Sequence, residues 1–186
     1  MTMVCVLAGT DEKEGAVRFN ALPRAEGAVR FNALPRAEAE AELLTCCASR
    51  RWASSVAAGR PYGSAEDLFT AAGKAVRDLG WPDVREALEA HPRIGDRPGS
   101  AGRESAWSRG EQSGVGDADR AAFAEGNAAY EERFGHVFLI CASGRGAGEM
   151  LAELRERMTN GPEAEREVVH GELVKITELR LRKLVT

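Results

Sequence analysis

Two stretches of this chain carry residues that could move protons: His91-Pro92-Arg93-Ile94-Gly95 and Ser108-x-x-Glu111-Gln112. An imidazole and a carboxylate that meet in one cavity can take a proton from a substrate and return one elsewhere. Pro92 disfavours the α region for His91, so a helix arriving through residues 84–90 should end at or near the histidine. The negative end of that helix dipole then favours the charged imidazolium. Ser108, Glu111 and Gln112 stand at i, i+3 and i+4, which puts them on one face of a helix. Ser-x-x-Glu is equally a helix-capping box. Taken singly, each motif also fits a structural role. His136 and His170 lie in ordinary loop and helix text and receive no role.

Arg180 is the third unusual residue. Val169, Leu173, Ile176 and Leu184 form an apolar stripe at about 100° per residue, and Arg180 falls in its middle. Arg182 falls on the opposite face, toward solvent. A guanidinium aimed at a core needs an anionic partner, because an unpaired buried charge is strongly destabilising. Two partners stay open: a carboxylate of the chain itself, or a carboxylate or oxyanion of a substrate. Gly144-x-Gly146-x-Gly148 follows an apolar run, but it is not G-x-G-x-x-G and no βαβ pattern surrounds it. It reads as a plain loop before the next helix.

The elements that must position these groups read as helices. Residues 36–58 are Ala-rich, with Leu43, Leu44, Cys47 and Trp52, and read as helix. Ser64-x-x-Asp67 resembles a capping box with Asp in place of Glu. It opens a helix with Leu68, Ala72, Val76 and Leu79 at helical spacing, ended by Gly80. A short helix covers 83–91, and residues 92–116 are rich in Gly, Ser and Arg. Residues 117–134 read as a helix with Phe123, Asn127, Tyr130 and Phe134 on one face. The apolar run 137–141 fits a strand or a buried helix, and periodicity does not separate them. A lone strand would have no partner, so helix is expected. Residues 149–158 and 163–184 complete an all-α chain, a single-domain bundle of about seven to nine helices.

The N-terminus holds a perfect direct repeat: residues 15–26 and 27–38 both read GAVRFNALPRAE. Two copies cannot make a solenoid, and only one can occupy a single native position. The second is continuous with the next helix, which assigns Asn32-Ala33-Leu34 to the fold. Residues 1–26 are expected to be a loose extension, and 27–186 the helical domain.

With 186 residues, 44% hydrophobic and 29% charged, the chain can build a real core and is unlike a disordered sequence. A net charge of −4 with both signs interspersed argues against a nucleic-acid surface. No apolar run approaches the roughly 20 residues of a membrane span. The first residues lack the basic region and long apolar segment of a signal peptide. Cys5, Cys46, Cys47 and Cys141 show no C-x-x-C or zinc spacing, and two of them are adjacent. Reduced, partly buried thiols suit a cytosol.

The motifs together resemble one family, 2-oxo-4-hydroxy-4-carboxy-5-ureidoimidazoline (OHCU) decarboxylase. The matching text is Phe31-Asn32-Ala33-Leu34, Leu44-Thr45-Cys46-Cys47, Ser49-x-x-Trp52, the His91 and Glu111 motifs, Phe134-Gly135, residues 138–142 and Glu178-Leu179-Arg180-Leu181. It spans residues 28–184. The extra N-terminal copy is a departure the family does not need. The resemblance implies an all-α homodimer that uses neither metal nor organic cofactor. It also implies a small ureidoimidazoline substrate, which loses CO2 to give (S)-allantoin in the last step of urate degradation.

His91 becomes the implied catalytic acid/base, with Glu111 beside it. Pro92, Ser108, Gln112 and the stretch Phe138, Leu139, Ile140, Cys141 and Ala142 line the implied pocket, and Arg180 joins them as a substrate contact. Glu111 is expected to accept the ring hydroxyl proton or hold the imidazole, and His91 to donate a proton. Their opposite charges should favour imidazolium and carboxylate together. The alternatives are a non-catalytic helical interaction domain that docks through residues 93–110, or another small-acid lyase or hydrolase using the same pair. Leu184-Val185-Thr186 is not a peroxisomal address, so a cytosolic setting is expected.

Overall fold

The computed structural model describes residues 24–96, 107, 110, 111, 116 and 119–185. Among these the chain forms eight helices with defined ends, further helical residues at 107, 110 and 111, and no strand. They are α1 (Arg24–Ala33), α2 (Arg36–Cys46), α3 (Arg50–Ala58), α4 (Ala65–Arg77), α5 (Trp81–Glu89), α6 (Arg120–Phe134), α7 (Ala147–Arg157) and α8 (Pro162–Val185). The all-α expectation holds. Most ends follow local chemistry: Ser64 Oγ accepts from Asp67 N at 3.1 Å and caps α4. Pro82 sits in the first turn of α5. Gly135, at φ +74, gives α6 a left-handed stop that a Cβ would strain.

Residues 36–58 are two helices, not the one expected. Cys47 is extended at φ −146 and ψ 118, and Ser49 Oγ accepts from Trp52 N at 3.3 Å to start α3 afresh. A serine offers its hydroxyl to the backbone and competes with a continuing helix. The Ala-rich composition masked that competition. The break lets Cys46, Cys47 and Trp52 all reach full burial.

Helix α8 is the axis of the larger core and lies against α1, α2, α4 and α5. Helices α6 and α7, with Ile94, enclose a second core around Phe123, Tyr130, Phe138 and Met150. Between the two runs the segment 137–142, which is not a helix as expected. Val137, Leu139 and Cys141 pack into the larger core, whereas Phe138, Ile140 and Ala142 enter the second. Only a two-residue period delivers alternate side chains to opposite sides. The lack of a neighbouring strand is met by side chains. Arg157 Nη1 donates to Leu139 O at 2.8 Å, and Cys141 N donates to Glu172 Oε2 at 2.7 Å. Arg157 is itself held by Glu165 at 2.6 Å, and Tyr130 OH donates to the same carboxylate oxygen.

Helix α1 begins at Arg24, and the residues it buries, Ala28 and Phe31, belong to the second copy of the repeat. Asn32 exchanges two hydrogen bonds with the Tyr62 backbone, at 2.8 and 2.9 Å. A Cβ at Gly27 would lie 1.9 Å from Val185 O, so only glycine lets α1 approach the end of α8 so closely. Residues 1–23, most of the expected extension, lie outside the described residues. Among the described residues no helix is long and apolar enough to cross a membrane.

Candidate active site

The His91 motif is fastened residue by residue. Arg93 clamps Glu131 of α6 through two bonds of 2.5 and 2.7 Å. Ile94 enters the second core, and its carbonyl accepts from Asn127 Nδ2 at 2.9 Å. Gly95 adopts φ +89 against the Phe123 side chain, and its carbonyl accepts from Arg120 at 2.8 Å. With the loop so held, His91 has little freedom. Its Nδ1 lies 2.8 Å from Ala87 O, one turn back in α5. A carbonyl can only accept, so Nδ1 carries the hydrogen and Nε2 keeps its lone pair. That Nε2 is buried and has no partner among the described residues.

The expected imidazolium is therefore not the resting state. Burial, then the positive charge of Arg180, push His91 down to about 4, against the opposing pull of Ala87 O and Glu111. Desolvation and a neighbouring cation outweigh the helix dipole. Nor does Glu111 hold the imidazole; Ala87 does. Glu111 is fixed instead by α8. Arg180 reaches it through Nη2–Oε2 at 2.9 Å and Nε–Oε1 at 3.3 Å, and Lys183 Nζ stands 3.3 Å from Oε1. Burial alone would raise the Glu111 carboxyl. The hydrogen bond and charge of Arg180, with help from Lys183, hold it below the usual carboxylate range. Arg180 and Lys183 thus favour the anionic form of this carboxylate, which makes it a weaker proton acceptor.

Arg180 is 5% exposed and sits on the predicted stripe with Val169, Leu173, Ile176 and Leu184. Of its two possible partners the structure supplies one of the chain's own carboxylates, and that carboxylate is the candidate catalytic one. Arg182 is half exposed and lies 4.5 Å over the Phe69 ring. Cys46, Cys47 and Cys141 are free thiols. Burial pushes Cys46 up to about 12 despite the nearby Arg180, so it is inert as a nucleophile.

Pro92 is half-buried next to His91. Trp107, Gly110 and Glu111 are helical, as the spacing of the second motif requires, while Ser108 and Gln112 lie outside the described residues. Phe138, Ile140 and Ala142 commit their side chains to the second core. Leu139 commits its side chain to the larger core. Cys141 is half-buried, and its thiol, raised chiefly by burial, also feels the charge of Glu111. Sequence reasoning missed Lys183, Glu172 and Arg157. Lys183 stands one turn beyond Arg180 and could have been found by extending its helical phase. Nothing in the sequence announces that Glu172 and Arg157 grip a backbone.

A half-buried neutral imidazole with an unpartnered Nε2, close to the Arg180–Glu111 ion pair in an all-α fold, makes a candidate acid–base site. The sequence pattern of the OHCU decarboxylase family matches residues 32–182, and the chain belongs to that family. It is 39% identical over 152 residues to the uric acid degradation bifunctional protein TTL of Arabidopsis thaliana. That match covers 78% of this chain and 47% of the relative, so the chain spans about half its length. It is 36% identical over 138 residues to the OHCU decarboxylase of Amia calva, covering 72% of this chain and 79% of that one. A crystal structure of OHCU decarboxylase in the presence of (S)-allantoin superposes with a TM-score of 0.67 at 34% identity, covering 77% of this chain and 96% of that one. A crystal structure of (S)-allantoin synthase, 21% identical with a TM-score of 0.61, shares the fold; the match covers 85% of this chain and 54% of that one.

Proposed function

We propose that this protein decarboxylates 2-oxo-4-hydroxy-4-carboxy-5-ureidoimidazoline to (S)-allantoin and CO2, the closing step from urate to allantoin. Family membership supports the reaction. The observation that carries the mechanism is the buried, unpartnered Nε2 of a neutral His91 beside the Arg180–Glu111 pair.

The substrate carries its carboxylate on a hydroxyl-bearing ring carbon next to a C=N bond. When the C–C bond to CO2 breaks, its electron pair forms a ring C=C bond and the imine pair moves onto nitrogen. The ring is its own electron sink, so no metal or organic cofactor is needed. His91 Nε2 takes the hydroxyl proton as the ring carbon becomes a carbonyl. The resulting imidazolium, destabilised by burial and Arg180, is a strong acid and gives that proton to the neighbouring carbon. Solvent supplies the one proton that the ring nitrogen requires, which balances the loss of CO2 from a carboxylate. Delivery from one fixed side sets the (S) configuration. Glu111 serves as a fixed anion that orients the ring and favours the transient imidazolium. Pro92, Ser108, Gln112, Arg180 and the backbone of 138–142 complete the pocket.

The reading extends to a homodimer, expected to elute at about twice the 20.0 kDa chain mass, and to a cytosolic setting that keeps its thiols reduced. The test generates the substrate in situ from urate. The protein should speed the loss of its ultraviolet absorbance and yield optically active allantoin. His91→Asn should slow turnover by at least about 10²-fold while circular dichroism stays that of the folded chain. A wild-type protein that leaves the spontaneous decay unchanged would defeat the assignment.

A further inference from the structure

Glu172 has no place in the mechanism above, yet its carboxylate is buried, with the residue 3% exposed. Taking a carboxylate out of water is costly unless its oxygens find strong partners. Its two oxygens divide the work. Oε2 accepts from Cys141 N at 2.7 Å, and Oε1 meets Lys175 Nζ at 2.5 Å, a lysine whose side chain is 57% exposed. Burial alone would raise its carboxyl, but the Cys141 N–H and Lys175 hold it below the usual range. One oxygen is thus anchored toward solvent while the other is fixed on a backbone N–H.

That N–H belongs to the segment between the two cores. Val137, Leu139 and Cys141 share the larger core with Ala87 and Leu88 of the turn before His91, and with Trp107 beside the Glu111 motif. Val137 also lines one cavity with Leu88, in the last turn of α5 before His91, and Cys141 lies within the electrostatic reach of Glu111. The segment thus runs beside the turn that carries His91. In extended chain, the carbonyl of one residue and the N–H two residues on point to the same edge. Arg157 on Leu139 O and Glu172 on Cys141 N consequently grip a single edge. The alternate edge, carrying the Ile140 N–H and C=O, is turned the other way by those two grips. Slippage by one residue would exchange the edges and swap every side chain between the cores.

We propose that Glu172 is a positioning residue for the reaction: by holding Cys141 N–H it fixes the register of segment 137–142 and thereby the wall against which the substrate ring is oriented. Glu172 sits eight residues before Arg180, so one rigid helix sets both the Glu111 carboxylate and this wall about 12 Å apart along its axis. The proposal rests on the decarboxylase reading above.

Three variants test it, with enzyme in sufficient excess to outrun spontaneous decay. Glu172→Gln keeps an oxygen that can accept from Cys141 N–H and should stay within about threefold of wild type in kcat/KM. Glu172→Leu removes the acceptor and should cut kcat/KM at least about tenfold, chiefly through KM. Its allantoin should also lose enantiomeric purity, which a role in stability alone would leave intact. If the leucine variant does not fold, Glu172→Asp, which withdraws the carboxylate by one methylene, should show the same KM rise and loss of enantiomeric purity. A folded Leu or Asp variant with wild-type KM and product purity overturns the proposal, and so does a Gln variant as damaged as Leu. Inactive wild-type protein would instead fail the decarboxylase reading itself.

Discussion

His91 shows how one neighbour outside a motif decides what the motif does. Its dipeptide with Pro92 is legible in sequence and correctly places a helix end, but the protonation state is not. That depends on Ala87 O, on burial, and on an arginine 89 positions away in the chain. A histidine titrating near 4 leaves a distinct mark on pH dependence. As a base it is ready at all pH values above about 4, so kcat/KM should show no acid limb near 6.5 and should fall only as pH approaches 4. Glu111 is held below the ordinary carboxylate range by Arg180 and Lys183, against the effect of burial. Stability carries the same signature. Between the depressed folded value and the ordinary unfolded value of 6.5, the unfolded chain binds more protons. The contribution of His91 is complete above 6.5 and is lost as pH falls toward 4. A pH–rate profile with an acid limb at 6 to 7 that disappears in His91→Asn would show a base at the ordinary imidazole value and contradict the depressed one.

Elements with a full helical period were legible, because periodicity needs only the chain itself. Helices α4, α6 and α8 appear where their apolar stripes and caps place them, with ends shifted by a few residues. Two elements were not legible. The stop at Cys47 to Ser49 hides in helix-favouring alanines, and the extended nature of 137–142 depends on partners brought from α7 and α8. The first was set by the local cap of Ser49, which the alanines mask, and the second by tertiary contacts that composition does not encode. The phase of α8, in contrast, was fully readable, and it separates two arginines. Arg180→Lys should lower kcat/KM by about tenfold or more, because an ammonium cannot span both Glu111 oxygens. Arg182→Lys should remain within about twofold, since a half-exposed ion pair contributes little. Steady-state kinetics on the two variants check this, and equal losses would contradict the different environments of the two side chains.

At the scale of the molecule, two cores share one partition, and the site lies where that partition meets the end of α5 and the flank of α8. The candidate residues His91, Glu111 and Arg180 were named from sequence, and the fold shows how each is held. One feature at the far end of α8 reaches further. The seat of α1 recognises Gly27, Ala28, Phe31, Asn32 and Leu34 through close approach, burial and backbone hydrogen bonds. Each of these residues has an identical twin twelve positions earlier, at Gly15, Ala16, Phe19, Asn20 and Leu22. The chain therefore carries a spare key for one lock. Phe31→Ala in a chain lacking residues 15–26 should cost about 3–5 kcal/mol of stability, the usual range for a buried phenylalanine. In the full chain the loss should be capped near the entropy of looping out twelve residues, about 2 kcal/mol. Denaturant titration of Phe31→Ala in both backgrounds measures the difference, and equal destabilisation would mean that the spare never reaches the lock. A smaller loss in the full chain would make the duplication a mutational buffer, with either copy free to drift so long as the other still fits.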